Sequence, residues 1–160
     1  MRILVVSDSH GQARLLQKAV RAQPKAEMIL FLGDGYDEAD ALRRELPPEK
    51  FMRMVKGNND WCCPEPNEQL FTVEGVKILM MHGHSRQVKW GIGAAEAEAR
   101  RCGAQILLFG HTHIPCCEYR DGLHIINPGS LGVPLNGTPT YAWIDIIPEG
   151  ISANIVKLPW

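Results

Sequence analysis

Residues 2–34 read RILVVSDSHGQARLLQKAVRAQPKAEMILFLGD, and their pattern decides the fold class. "RILVVS" is a β-rich apolar run that stops in a polar loop, and "EMILFLGD" is a second run that stops the same way. Between them Leu15, Leu16, Ala19 and Val20 recur at helical spacing. The pattern then repeats. "YDEADALRREL" is a helix with Ala39, Leu42 and Leu46 on one side, ended by Pro47-Pro48, and "FMRMVKGNND" is a third strand entering a loop. This β-α-β-α-β order implies a parallel sheet.

The second half changes style. "QLFTVEGVKILMMHGH" reads as a hairpin about Glu74-Gly75. A helix is expected within residues 86–102, weakened at its start by Gly91 and Gly93. "QILLFGHTH" is another strand, "CCEYRDGLHIINPGS" a second hairpin turning at Asp121-Gly122, and "YAWIDII" and "SANIVKL" pair about Glu149-Gly150. The expectation is one α/β domain over residues 1–160, with two stacked β-sheets flanked by helices.

The unusual residues fall where strands stop. Strand one delivers Asp8 and His10, strand two Asp34, and strand three Asn58, Asn59 and Asp60. The hairpin delivers His82 and His84, and "GHTH" delivers His111 and His113. In open α/β sheets, ligands bind beyond the carboxyl ends of the strands. Any one ending is an ordinary capped turn. However, five of the six histidines lie at such ends, with only His124, in mid-strand, set apart as structural. Carboxylates and imidazoles crowded together call for a cation among them. The donors are nitrogen and oxygen with no thiolate, which suits manganese, iron or zinc rather than a structural cysteine site. Seven donors exceed one ion's needs. Two ions about 3.5–4 Å apart, sharing a carboxylate, would use them all, generate hydroxide at neutral pH and clamp a phosphoryl group for in-line attack.

The ordered set Asp-x-His, Gly-Asp, Gly-Asn, His-Gly-His and Gly-His-Thr-His resembles the calcineurin-like metallophosphoesterases. The short chain, "GNND" and "NPGS" (Asn127–Ser130) are similar to the small bacterial and archaeal phosphodiesterase branch, to which the retromer vacuolar sorting subunit is related. The resemblance implies a β-sandwich flanked by helices. It implies one metal on Asp8, His10 and His113, a second on Asn58, His82 and His111, and Asp34 bridging them. The implied cofactors are two divalent ions, manganese first, with nickel, cobalt, zinc or iron as alternatives. The implied substrate is a small phosphodiester, with Asp34, Asn58 and His84 as catalytic residues. A phosphomonoesterase, or a protein-binding scaffold of the same fold, is the alternative.

One position departs from that pattern. Many members carry Gly-Asn-His, whose histidine protonates the leaving group; here that position is Asn59. An amide is no general acid. Slow turnover or a preference for good leaving groups follows, unless His84 serves as the acid; otherwise His84 orients His82. Asp60 either orients a ligand or caps its loop, and Asn127 or Ser130 either supports the loops or meets phosphate.

Bulk properties narrow the classes. The chain has 160 residues, 45% apolar and 22% charged, with net charge -1. That balance carries no clear nucleic-acid footprint or basic membrane surface. No run approaches the roughly 20 apolar residues of a membrane span, so a cytoplasmic setting is expected. Five cysteines fit a reducing compartment. The adjacent pairs Cys62-Cys63 and Cys116-Cys117 lack the spacing of a zinc site. Trp61, Val88, Trp90 and Ile92 either form a partner or homo-oligomer surface or cover the core and line the substrate cleft. Arg86 and Lys89 either meet substrate phosphate or are simply solvated. "WGIG" at 90–93 lacks dinucleotide-binding spacing.

Overall fold

The computed structural model describes residues 1–135 and 137–160. The first sheet contains β1 (Arg2–Val6), β2 (Met28–Phe31), β3 (Phe51–Met54), β9 (Thr140–Ile147) and β10 (Gly150–Lys157), in the order β10-β9-β1-β2-β3. The second contains β4 (Glu68–Val73), β5 (Val76–Met81), β6 (Ile106–Leu108), β7 (Cys116–Arg120) and β8 (Leu123–Asn127), in the order β4-β5-β6-β8-β7. Helices α1 (Ala13–Ala22) and α2 (Tyr36–Glu45) cover the first sheet, and α3 (Gly93–Arg101) covers the second. The two-sheet α/β architecture expected from the sequence is the one observed.

Strand alternation builds the layers. Ile3 and Val5 of β1 face the second sheet, where they join Ile78, Met80, Ile106, Leu108 and Ile126. Leu4 and Val6 face outward beneath Leu15, Leu16 and Ala19 of α1 and Ala39 and Leu42 of α2. Every β1 residue from Ile3 to Val6 is fully buried. Burying each such side chain contributes about 1.5–3 kcal/mol, which fixes β1 at the middle of its sheet. On the far side, Ala95 and Ala99 let α3 lie close on Leu79, Met81 and Leu107.

The helix expected within 86–102 is shorter than that window. A 3₁₀ turn at His84–Arg86 comes first, Gln87 is left-handed at φ 54°, and Gly91 lies at φ 146°. The α-helix therefore waits for Gly93.

Direction positions the site. β1, β2 and β3 are parallel neighbours, so Asp8, Asp34 and Asn58 leave the same edge. In the other sheet β5 and β6 are parallel, so His82 and His111 leave together. The edges are tied across the sandwich: His82 Nδ1 meets the Leu32 carbonyl at 2.7 Å, and the His111 N–H donates to Asp8 Oδ2 at 3.1 Å.

Candidate metal centre

The strand ends converge in two groups. Asp8, His10 and His113 form one; Asp34, His82 and His111 form the other. Within each group the donor atoms lie within 4.8 Å of one another. Asn58 joins the second, its Oδ1 3.0 Å from His82 Nε2. Asp34 Oδ2 lies 3.6 Å from His82 Nε2 and 3.8 Å from His10 Nε2, so this carboxylate stands between the groups. All seven residues predicted from the sequence as ligands are thus in one place.

Ring tautomers follow from the outer hydrogen bonds. A carbonyl only accepts, so His82 Nδ1 carries its proton toward Leu32 O, and His113 Nδ1 carries its own toward Val133 O at 2.8 Å. Both Nε2 atoms then present bare lone pairs inward. His82 Nε2 faces Asn58 Oδ1 and, at 3.1 Å, His111 Nδ1. His113 Nε2 faces Asp8 Oδ1 at 3.1 Å and His10 Nε2 at 3.3 Å. Asp8 Oδ1 is fully buried and accepts no hydrogen bond. Acceptors turned toward acceptors need a cation between them. The donor set and its orphaned oxygen therefore fit divalent metal ions.

The pKa directions agree. Burial pushes His111 down to about 4, helped by the charges of His82 and Lys89. It is a neutral donor at neutral pH. The neighbouring Asp8 carboxylate holds His113 above its ordinary value, although burial opposes it. Burial alone would raise the Asp8 carboxyl. His113, His82 and the Ser7 hydroxyl outweigh it, and its pKa lies below the ordinary value.

Supporting residues fix the ligands. Asn59, at the departing position, holds Asp34 twice: its N–H donates to Oδ1 at 2.8 Å and its Nδ2 to Oδ2 at 2.6 Å. Asp60 accepts four backbone N–H groups, from Asp34 and Gly57 on Oδ2 and from Gly35 and Tyr36 on Oδ1. It both caps α2 and locks the Asp34 loop to the Asn58 loop. Gly57 packs so tightly that a Cβ there would lie 2.2 Å from the Asp34 nitrogen. "NPGS" supports loops: Asn127 Nδ2 donates to Gly110 O and Thr112 Oγ1, and Ser130 Oγ donates to Asp8 O.

His84 lies beside His82 and His111, with ring centroids 5.4 and 6.2 Å away. It makes no hydrogen bond to His82, whose free nitrogen is taken by Leu32. Its own Nδ1 is buried without a partner. Burial, then the His82 charge, pushes it below its ordinary value, so it is neutral at neutral pH. Arg86 is committed to Glu68 at 2.6 Å. His124 lies against Tyr119 across the hairpin, with centroids 4.6 Å apart. Val88 is buried, whereas Trp61 and Trp90 stand in solvent.

Two supports escape sequence reasoning. Ser7 donates to Asp8, and Glu38 accepts from Ser9 Oγ and Gly11 N–H, bracing the Asp8–His10 loop. Ser7 directly precedes a ligand, which is a usable signal; Glu38 sits on a helix and carries none.

Residues 1–148 match the family model described as the calcineurin-like phosphoesterase superfamily domain. The chain belongs to this superfamily. A probable metallophosphoesterase of Bacillus subtilis, YsnB, is 35% identical over 89% of this chain and 82% of its own. The phosphodiesterase YfcE of Escherichia coli is 26% identical over 91% and 88%. A predicted phosphoesterase of Streptococcus pneumoniae superposes with TM-score 0.80 at 26% identity, covering 98% of this chain and 88% of that one. Vps29 of Entamoeba histolytica shares the fold, with TM-score 0.72 at 24% identity over 99% of both chains. Five cysteines are free, and among the described residues no helix is long and apolar enough to cross a membrane.

Proposed function

We propose that the chain is a binuclear metal-dependent phosphodiesterase of the cytoplasm. One observation carries the reading: two three-residue donor groups share an edge, with the Asp34 carboxylate between them. Asp8, His10 and His113 would hold one ion, Asn58, His82 and His111 the other, and Asp34 would touch both. Two divalent ions held there supply Lewis acidity that activates water and neutralises charge on a phosphoryl group. Manganese suits the nitrogen and oxygen donors, and nickel, cobalt, zinc and iron are the alternatives. The phosphodiesterase name of YfcE supports the choice of substrate.

The chain's own residues divide the remaining work. Asn59 aims Asp34 by two donated hydrogen bonds. It has no proton to give a leaving oxygen, so the leaving group must depart as an anion. That absence costs about 10²–10⁴-fold against poor leaving groups. His84, neutral and otherwise unpartnered, serves as a hydrogen-bond donor to a phosphoryl oxygen rather than as an acid.

Protein stripped by chelation and reloaded with manganese should hydrolyse bis(p-nitrophenyl) phosphate, and Asp34→Asn should abolish the reaction. No turnover with manganese, nickel, cobalt or zinc overturns the proposal.

A further inference from the structure

A groove of about 630 Å³ opens beside the metal centre. Its walls include Trp90, Ile92, Phe109, Ile114 and Leu135, with Lys89 among them. Thr112, between His111 and His113, also lines it, so groove and centre share a wall. That wall is rigid: Thr112 Oγ1 accepts from Asn127 Nδ2 at 3.0 Å and from the Ile114 N–H at 3.2 Å. Residue 133 adds a second tie, since its carbonyl holds His113 two positions before Leu135.

The Trp90 loop is ordered although it is exposed. Val88 packs so close to left-handed Gly83 that a Cβ there would lie 2.6 Å from Val88 Cγ2. Val88 is buried, and the next two side chains stand outward. The Trp90 N–H donates to Gln87 O at 2.9 Å. Trp90 is 91% exposed, Leu135 65% and Ile114 53%. A soluble surface scatters such residues singly; a cluster on one groove marks a binding site. Lys89, which lines the groove, gives that apolar site a positive charge.

We propose that this groove takes one ester arm of the substrate, and that the arm is a flat aryl or heteroaryl group. The inference rests on the phosphoesterase reading and narrows its substrate class. Continuity through Thr112 sets the occupant: a group whose phosphorus lies at the donor edge carries its substituent along that wall. Charge complementarity agrees, because Lys89 meets the negative phosphoryl group while the Trp90 face stacks on the arm. A phosphodiester has two arms. The second has its own cleft, of about 410 Å³, lined by Asp34, His10, Tyr36, Asn59 and Trp61.

Calorimetry on manganese-loaded protein with phenylphosphonate and methylphosphonate tests the groove, since neither probe is hydrolysed. The phenyl probe should bind about tenfold more tightly, the effect of one stacked ring. Trp90→Ala and Leu135→Ala should each remove most of that advantage while leaving methylphosphonate affinity unchanged. Both residues are exposed, so the variants keep the fold. Equal affinities in the wild type, no binding of either probe, or equal weakening of both probes in the variants overturns the proposal. So does a dimer in light scattering that Trp90→Ala dissociates, which would assign the groove to a second copy. Turnover of bis(p-nitrophenyl) phosphate separates the two readings: turnover without a phenyl preference refutes the groove alone, and a preference without turnover refutes the reaction alone.

Discussion

Replacing Asp60 with Asn changes one atom and tests the lock between the two loops. In the wild type each carboxylate oxygen accepts two backbone N–H groups, at 2.8–3.0 Å. An amide keeps one oxygen. Whichever way it is turned, its NH₂ then faces two N–H donors, either those of Asp34 and Gly57 or those of Gly35 and Tyr36. Hydrogen bonds to a charged acceptor contribute about 1.5–3 kcal/mol each. Losing two gives roughly 3–6 kcal/mol, a large share of the roughly 5–15 kcal/mol that a domain possesses. At about 2–4 °C per kcal/mol for a chain of this size, Tm should fall by about 6 °C or more. Circular dichroism in the presence of a chelator measures this without any metal contribution. A fall under about 2 °C would refute the claim that Asp60 holds the loops together.

Asn59→His should raise turnover of an alkyl diester by about 10²-fold or more by supplying the missing acid, whereas an activated aryl diester should gain nothing because an aryl oxide departs without protonation; steady-state rates on the two substrates decide. Manganese at about one hundred times its Kd should stabilise the protein by about 2.7 kcal/mol, seen as a rise of several degrees in Tm, and Asp34→Asn should lose that response. Asp145 is held below its ordinary pKa by hydrogen bonds from Arg2, a pair that contributes less than about 1 kcal/mol. A depressed carboxyl stabilises above its unfolded pKa and loses that contribution as pH falls through the folded one, so urea midpoints of wild type and Asp145→Asn should differ at pH 7 and converge in the acid range.

The sheets and the ligand set are legible in the sequence because each follows from a local pattern. The unbroken apolar run in "RILVVS" marks a strand buried on both faces, and a parallel order sends the ligands of β1, β2 and β3 to one edge. The remainder depends on contacts between distant segments. Asp60 caps a helix that begins twenty-four residues earlier, and no spacing announces that. Asn59 reads from sequence as a lost acid; only the fold shows that its amide holds Asp34. Within the window 86–102 where the sequence places α3, the helix begins only at Gly93, because Gln87 is left-handed and Gly91 lies at φ 146°.

Backbone strain at the ligands is invisible in sequence and yields a last test. Asp8, His10, Asp34, His111 and His113 all have positive φ, between 43° and 66°. Side chains rarely adopt this region, and each such residue costs of order 1–3 kcal/mol. Cross-sheet hydrogen bonds such as His111 N–H to Asp8 Oδ2 hold the loops there. Elsewhere glycine is less stabilising than alanine, because its unfolded chain is freer. At φ 66° the order should reverse. In metal-free protein His111→Gly and His111→Ala lose the same imidazole contacts, so their difference reports the backbone alone. The glycine variant should be the more stable by about 1 kcal/mol, or about 2–4 °C in Tm. If alanine is equal or better, the left-handed turn at His111 carries no strain, and the metal loops are relaxed structures rather than ones held open by their surroundings.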